Sequence, residues 1–226
     1  MRERAVHIFA GPSLFGTGID TEADSGIQWK PPVRRGDIEA LVAEEREPGV
    51  IGLADGTFHA YPSVSHIELR EAMEAGWVIY GLCSMGAIRV SEMRHMGMKP
   101  WGDVAGMFCD NANFADDEVA LVHSAEAPYA PLSEPMVHLR AFVAHAIDQG
   151  WLNQAQGDRV IAVLRERWYG ERTLANLRQA ICQALDVKVL PEAIADAVNL
   201  FKPYRVKQAD LLSFLASTPW TCEMRA

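Results

Sequence analysis

An α/β fold is predicted: a mostly parallel sheet with flanking helices in the N-terminal half, then an all-helical C-terminal layer. Three features of the 226-residue sequence carry this. Up to about residue 125, short Val/Ile-rich runs bounded by glycine alternate with stretches of helical periodicity. A proline-bearing segment interrupts the alternation, and beyond it only apolar stripes of three-to-four-residue spacing occur. Strand-helix-strand-helix order requires crossover connections and therefore parallel strands.

In chain order, residues 5–10, 49–54 and 77–83 read as buried strands. Between them, residues 37–46 bring Ile38, Leu41 and Val42 to one helical face, and residues 64–75 do the same with Ile67, Leu69 and Met73. A further helix carrying Ile88, Val90 and Met93 follows the third strand. Loops beyond the carboxyl ends of parallel strands gather chemistry; here they are Gly11-Pro12-Ser13, Asp55-Gly56 and Cys83-Ser84-Met85-Gly86. Residues 126–135 hold Pro128, Pro131 and Pro135 and read as an extended linker. Helical stripes then cover residues 136–149, 158–168, 172–185, 192–201 and 207–216. Gly150 and Gly170 stand where C-terminal caps belong, and Pro191 at a first helical turn. The expected organisation is a core over residues 1–125, a linker over 126–135 and a helical region over 136–226 packed on the core as one unit.

Lys and Arg total 21 against 30 Asp and Glu, a net charge of −9, and the basic residues are scattered. No stripe exists to neutralise a run of phosphates, so a nucleic-acid partner is not expected. No segment approaches the roughly 20 apolar residues of a membrane span, and mean hydropathy is −0.03. The basic Met1-Arg2-Glu3-Arg4 precedes an apolar run that holds His7 and stops at Gly11-Pro12; it reads as the start of a strand, not as a signal peptide. Cys83, Cys109, Cys182 and Cys222 show no CxxC spacing, which suits reduced thiols and a cytoplasmic location. No metal motif occurs, and neither a metal nor a cofactor is expected. Residues 11–18 lack the lysine of a phosphate-binding loop. Asp116-Asp117-Glu118 reads as a turn or helix start, and Met93, Met96, Met98 and Trp101 as a packed helix end or a partner surface.

The chemistry concentrates in Gly81-Leu82-Cys83-Ser84-Met85-Gly86-Ala87, a strand passing through a small-residue turn into a helix. A serine at such a turn is either a helix N-cap or a nucleophile whose oxyanion the helix N-terminus would stabilise. The hydrolase signature G-x-S-x-G wants glycine where Leu82 stands. Cys83 is either a packed strand residue or a thiolate at a helix start. A base must come from histidine, lysine or a carboxylate. His66 lies beside Glu68 near the start of its helix, and the lysines are Lys30, Lys99, Lys188, Lys202 and Lys207. The residues alone leave that choice open.

Several segments together resemble the TfuA-like family: Phe9-Ala10-Gly11-Pro12-Ser13, Pro31-Pro32-Val33-Arg34-Arg35-Gly36-Asp37, Ala54-Asp55-Gly56-Thr57-Phe58, Ser84-Met85-Gly86-Ala87-Ile88-Arg89 and Asp116-Asp117-Glu118-Val119-Ala120. The resemblance runs from about residue 5 to residue 123. It implies an accessory role beside a YcaO enzyme in peptide-backbone thioamidation. In that role a Ser–Lys pair releases sulfur from a thiocarboxylated ThiS-like carrier, and the protein helps the YcaO enzyme engage its precursor peptide. Ser84 then corresponds to the family serine, and Met85 and Gly86 to backbone donors for an oxyanion; Lys30, His66, Glu68 and Arg89 are candidate supporting residues. Lys207, in Val206-Lys207-Gln208-Ala209-Asp210-Leu211, matches a family Lys-x-x-Asp-Ala element in which Leu211 replaces the alanine. Where the family often reads His-Lys-Glu, this chain has His66-Ile67-Glu68, with Ile67 expected to pack beside the Ser84 strand. Lys207 or Lys30 would then serve as base, or the protein binds the YcaO enzyme, its peptide or the carrier without hydrolysis. A small-molecule esterase or amidase using the same turn is the other alternative.

Overall fold

The computed structural model describes residues 5–23, 25–57, 61–111 and 113–223, with Cys222 and Glu223 described by backbone alone. The Met1-Arg2-Glu3-Arg4 start, Phe58 of the Asp-Gly-Thr-Phe run and the Cys222 thiol lie outside the described residues. Continuous apolar runs become the central strands, because a parallel sheet covered on both faces buries every side chain. β1 (Val6–Phe9) and β3 (Val50–Leu53) are buried throughout, and β4 (Val78–Gly81) nearly so. Two further strands complete the sheet: β2 (Ile27–Lys30) and the two-residue β5 (Lys99–Pro100). All pairings are parallel, in the order β2-β1-β3-β4-β5. The predicted α/β class with a helical C-terminal region is the one observed.

Helices α1 (Asp37–Glu44), α2 (His66–Glu74), α3 (Met85–Met93) and α4 (Asp103–Asp110) accompany the sheet. They are followed by α5 (Met136–Asp148), α6 (Gln154–Arg165), α7 (Leu174–Leu185), α8 (Glu192–Asn199) and α9 (Val206–Ser217). α6 starts four residues before the apolar stripe. Asn153 accepts from the Gln156 N–H while the Gln156 side chain accepts from the Asn153 N–H, a reciprocal cap that outweighs the polar first turn. Gly150 ends α5 with φ +70°, as its position implies. Gly170 does not cap a helix; it lies inside the 3-10 turn Tyr169–Glu171, after α6 has already stopped at Arg165.

The chain forms two compact units: Met1–Phe114 with Lys207–Ala226, and Ala115–Val206. The second is a helical bundle whose core joins Leu139 and Phe142 of α5, Val160 and Leu164 of α6, Leu177 and Ile181 of α7, and Ile194 and Val198 of α8. In the first, α9 lies on the sheet through Phe214, whose ring is 5.2 Å from Tyr80 and 5.7 Å from Trp101. Gly52 of β3 makes room for it: a Cβ there would sit 3.2 Å from the Phe214 ring.

Candidate functional site

The turn between β4 and α3 is strained at one residue. Ser84 has φ 61° and ψ −128°, a conformation that costs a non-glycine residue about 1–3 kcal/mol and persists only where its surroundings hold it. Ser84 occupies the N-cap position of α3, yet its side chain makes no capping hydrogen bond. A sharp strand-to-helix turn of this kind is how a serine hydroxyl is presented to a substrate at a sheet's carboxyl edge. Two glycines allow it. A Cβ on Gly86 would lie 1.8 Å from the Leu53 carbonyl oxygen, and one on Gly81 would lie 2.4 Å from the Gly86 carbonyl oxygen. The close approach that the hydrolase signature secures with a glycine two residues before the serine is secured here one residue earlier, with Leu82 buried between. Gly86 N–H donates to Ala54 O at 3.4 Å, whereas Met85 N–H makes no hydrogen bond among the described residues. Of the two backbone donors expected for an oxyanion, Met85 is therefore the one left open at the helix start.

Beside this turn sits a buried polar cluster. Asp55, two residues past β3, accepts from Gly11 N–H at 2.9 Å, Ser13 N–H at 2.8 Å and Ser13 Oγ at 2.8 Å. Lys207 Nζ, from α9, lies 3.6 Å from Asp55 Oδ1, and Lys207 is only 1% exposed. Cys83 Sγ donates to Ser13 Oγ at 3.4 Å. Burial, reinforced by the Asp55 carboxylate, pushes the Cys83 thiol up, which keeps it protonated and makes it a packed strand residue. All three strand-end loops noted in the sequence thus meet at one edge, with Ser84 3% exposed beside them.

The Lys-x-x-Asp spacing has a structural meaning. Lys207 and Asp210 are three residues apart and so share one face of α9. Lys207 turns to Asp55, and Asp210 caps another helix: its two oxygens accept from Asp103 N–H and Val104 N–H, each at 2.9 Å, at the start of α4. Gly102, with φ +90°, is required there, since a Cβ would lie 2.4 Å from the Asp210 carboxyl carbon. Burial pushes the Asp210 carboxyl up to about 6, although the two N–H bonds pull it down. The folded state therefore holds this proton more tightly than the unfolded chain. The resulting contribution to stability is present at low pH and is lost as pH rises from about 4 to about 6. Asp210→Asn should remove that dependence, so that urea unfolding at pH 4.5 and 7.5 shows a wild-type loss about 2 kcal/mol greater than the variant's. Parallel profiles would contradict the assignment.

A family model described as TfuA-like protein matches residues 55–173, more than half of the chain. The chain belongs to the TfuA-like family. No curated protein matches it significantly. The family is associated with YcaO-type thioamidation systems, which gives this TfuA-like protein a role associated with thioamidation. The matched region contains Asp55 and the whole Ser84 turn. It also extends into the helical unit; Lys207 and the Gly11–Ser13 loop lie outside it.

The remaining candidates of this TfuA-like chain are placed elsewhere. Lys30 ends the edge strand β2, three strand spacings or about 14 Å from β4. His66 is exposed and its Nε2 lies 2.8 Å from Glu92 Oε2, two turns along α3 from Ser84. Glu68 is buried as a cap: it accepts from Ser65 N–H at 2.5 Å and from Gly36 N–H at 2.9 Å. Arg89 donates to Val64 O at 3.0 Å, Ser63 Oγ at 3.1 Å and Glu92 Oε2 at 2.8 Å, tying the segment before α2 to α3. Ile67 does not pack beside the Ser84 strand; it is 60% exposed on α2, so a lysine there would point to water. Ile67→Lys should accordingly change stability by less than about 0.5 kcal/mol, as read by thermal melting. Asp55, Ser13 and Asp210 carried no assigned role in the sequence; the signal that could have found them is their position in or opposite the strand-end loops. Among the described residues, no group of three or more His, Cys, Asp or Glu is placed to hold a metal ion, and no helix is long and apolar enough to cross a membrane.

Proposed function

We propose that the protein releases sulfide from a thiocarboxylated ThiS-like carrier for a YcaO enzyme that thioamidates a precursor peptide. The observation that carries this is the conformation of Ser84: strained, at a helix start, and without the capping bond that would give it a structural purpose. Ser84 Oγ attacks the thiocarboxylate carbon while the Lys207 amine takes its proton. The tetrahedral oxyanion faces the Met85 N–H. The Lys207 ammonium gives that proton to the sulfur as the C–S bond breaks, hydrosulfide departs, and the carrier is left as an ester on Ser84. Water then attacks the ester, giving a proton to the neutral Lys207, which returns it to Ser84 Oγ as the C–O bond breaks. The net reaction converts R–COS⁻ and H₂O into R–COO⁻ and H₂S. Hydrosulfide is a good leaving group once Lys207 has supplied its proton, so no further acid is required and a Ser–Lys pair suffices.

Sulfide release from a thiocarboxylated carrier, measured for wild type and Lys207→Met, tests the pair. The variant keeps the buried stem and removes the amine; release should fall by about 10²–10⁴. Undiminished release would remove Lys207 from the reaction. A wild type that binds carrier and YcaO enzyme yet releases no sulfide would be a binding module, and one that turns over only simple esters would be a small-molecule esterase.

A further inference from the structure

The sheet order β2-β1-β3-β4-β5 reverses between β1 and β3. In open parallel sheets, the crevice beyond the carboxyl ends of the two strands at such a reversal is where a ligand binds, and N–H groups of the loop after the first strand grip its anionic part. The donors are present here. Gly11 N–H, Ser13 N–H and the Ser13 hydroxyl converge beyond β1, and Pro12 between them contributes none. They are already engaged, at 2.8–2.9 Å, by the side chain of Asp55. Asp55 is an acceptor at both oxygens, the hydrogen-bonding role of a carboxylate, and Lys207 Nζ stands 3.6 Å from one of them. Ser13, Asp55 and Lys207 are all essentially buried.

We infer that Asp55 is a built-in anion: its carboxylate fills the crevice between β1 and β3, and by doing so positions Lys207 and the Gly11–Ser13 loop beside the Cys83–Ser84 turn. Chemistry is thereby displaced by one strand, to the β3–β4 side where Ser84 emerges. As a positioning residue Asp55 touches the base and not the substrate, a role that rests on the proposed hydrolysis; filling of the crevice does not depend on it. A variant without the carboxylate would present three converging donors, with Lys207 Nζ beside them, to any small carboxylate of the right size.

Full-length Asp55→Ala is therefore to be melted and assayed for sulfide release in formate, and in chloride at equal ionic strength. Formate should raise the melting temperature of Asp55→Ala and leave the wild type unmoved. Without formate, kcat should fall by about 10²-fold at unchanged KM, and formate should restore part of it. Formate acting no differently from chloride on a folded Asp55→Ala would overturn the inference. If Asp55→Ala folds only in formate, the inference stands. If it folds in neither, Asp55→Asn decides: reduced kcat at unchanged KM supports the positioning role, and full kcat overturns it. A wild type inert toward the carrier, together with selective stabilisation of Asp55→Ala by formate, would sink the hydrolase reading while retaining the built-in anion.

Discussion

Ser84→Gly is expected to abolish sulfide release without weakening the fold. Deleting the hydroxyl removes the attacking atom, and loss of a nucleophile costs about 10³-fold or more in rate. Stability is the more discriminating measurement. A serine that caps a helix loses about 0.5–2 kcal/mol on replacement by alanine and a few tenths on replacement by glycine. Here the hydroxyl makes no capping bond and the backbone stands at φ 61°. Alanine retains the Cβ strain and has no bond to lose, so Ser84→Ala should melt with the wild type. Glycine adopts this conformation freely, and relief of about 1–3 kcal/mol of strain offsets the roughly 0.5–1 kcal/mol lost to its freer unfolded chain. Ser84→Gly should thus equal or exceed the wild type, by up to about 2 kcal/mol. A clear loss of stability in Ser84→Ala, or sulfide release surviving in either folded variant, would return Ser84 to a structural role.

Gly86→Ala should be the most damaging single-methyl addition in the sheet unit. The new Cβ would lie 1.8 Å from the Leu53 carbonyl oxygen, which itself accepts from Leu82 N–H at 2.8 Å. Both partners are backbone, so no rotamer change relieves the overlap and α3 must lift from β3 by about 1.5 Å to restore ordinary contact. That movement breaks the Gly86–Ala54 hydrogen bond and disturbs the Ser84 turn; a loss above about 3 kcal/mol is expected. Gly106 supplies the control within the same unit. It lies inside α4 with nothing within 4 Å of a built Cβ, so Gly106→Ala should gain about 0.5–1 kcal/mol. Thermal melting of the two variants should show opposite signs; a tolerated Gly86→Ala would mean that α3 and β3 are not in this contact.

The strands that were legible in the sequence are the ones whose burial leaves a continuous apolar run, β1, β3 and β4. β2, with the mixed run Ile27-Gln28-Trp29-Lys30, and β5, only two residues long, are edge strands; neither writes a buried pattern into the chain. α4 went unread for a different reason: its N-terminal cap is Asp210, over a hundred residues distant, so no local capping signal precedes it. The same non-locality separates the two halves of the candidate site. Gly81, Ser84 and Gly86 announce a tight turn by spacing, but the positive φ of Ser84 comes from packing of α3 on β3. The Lys207–Asp210 spacing is visible as a helical pair; that α9 belongs to the sheet unit and brings Lys207 to Asp55 is a tertiary fact. Ile67 shows the converse error, an apolar residue at helical spacing that its helix leaves in water.

Residues 115–206 divide the two stretches that make up the sheet unit, and this has a consequence during synthesis. At about 5–20 residues per second, a ribosome needs on the order of 5–20 s to pass from the first stretch to Lys207. Through that interval the nascent sheet carries Ser84 and Asp55 but no amine beside them, α4 lacks its Asp210 cap, and the face of β3 at Gly52 lacks the Phe214 ring. On the proposed mechanism a ribosome-bound chain is thus inert toward a labile thiocarboxylate, and α9 both closes the fold and completes the proposed Ser–Lys pair in a single docking step.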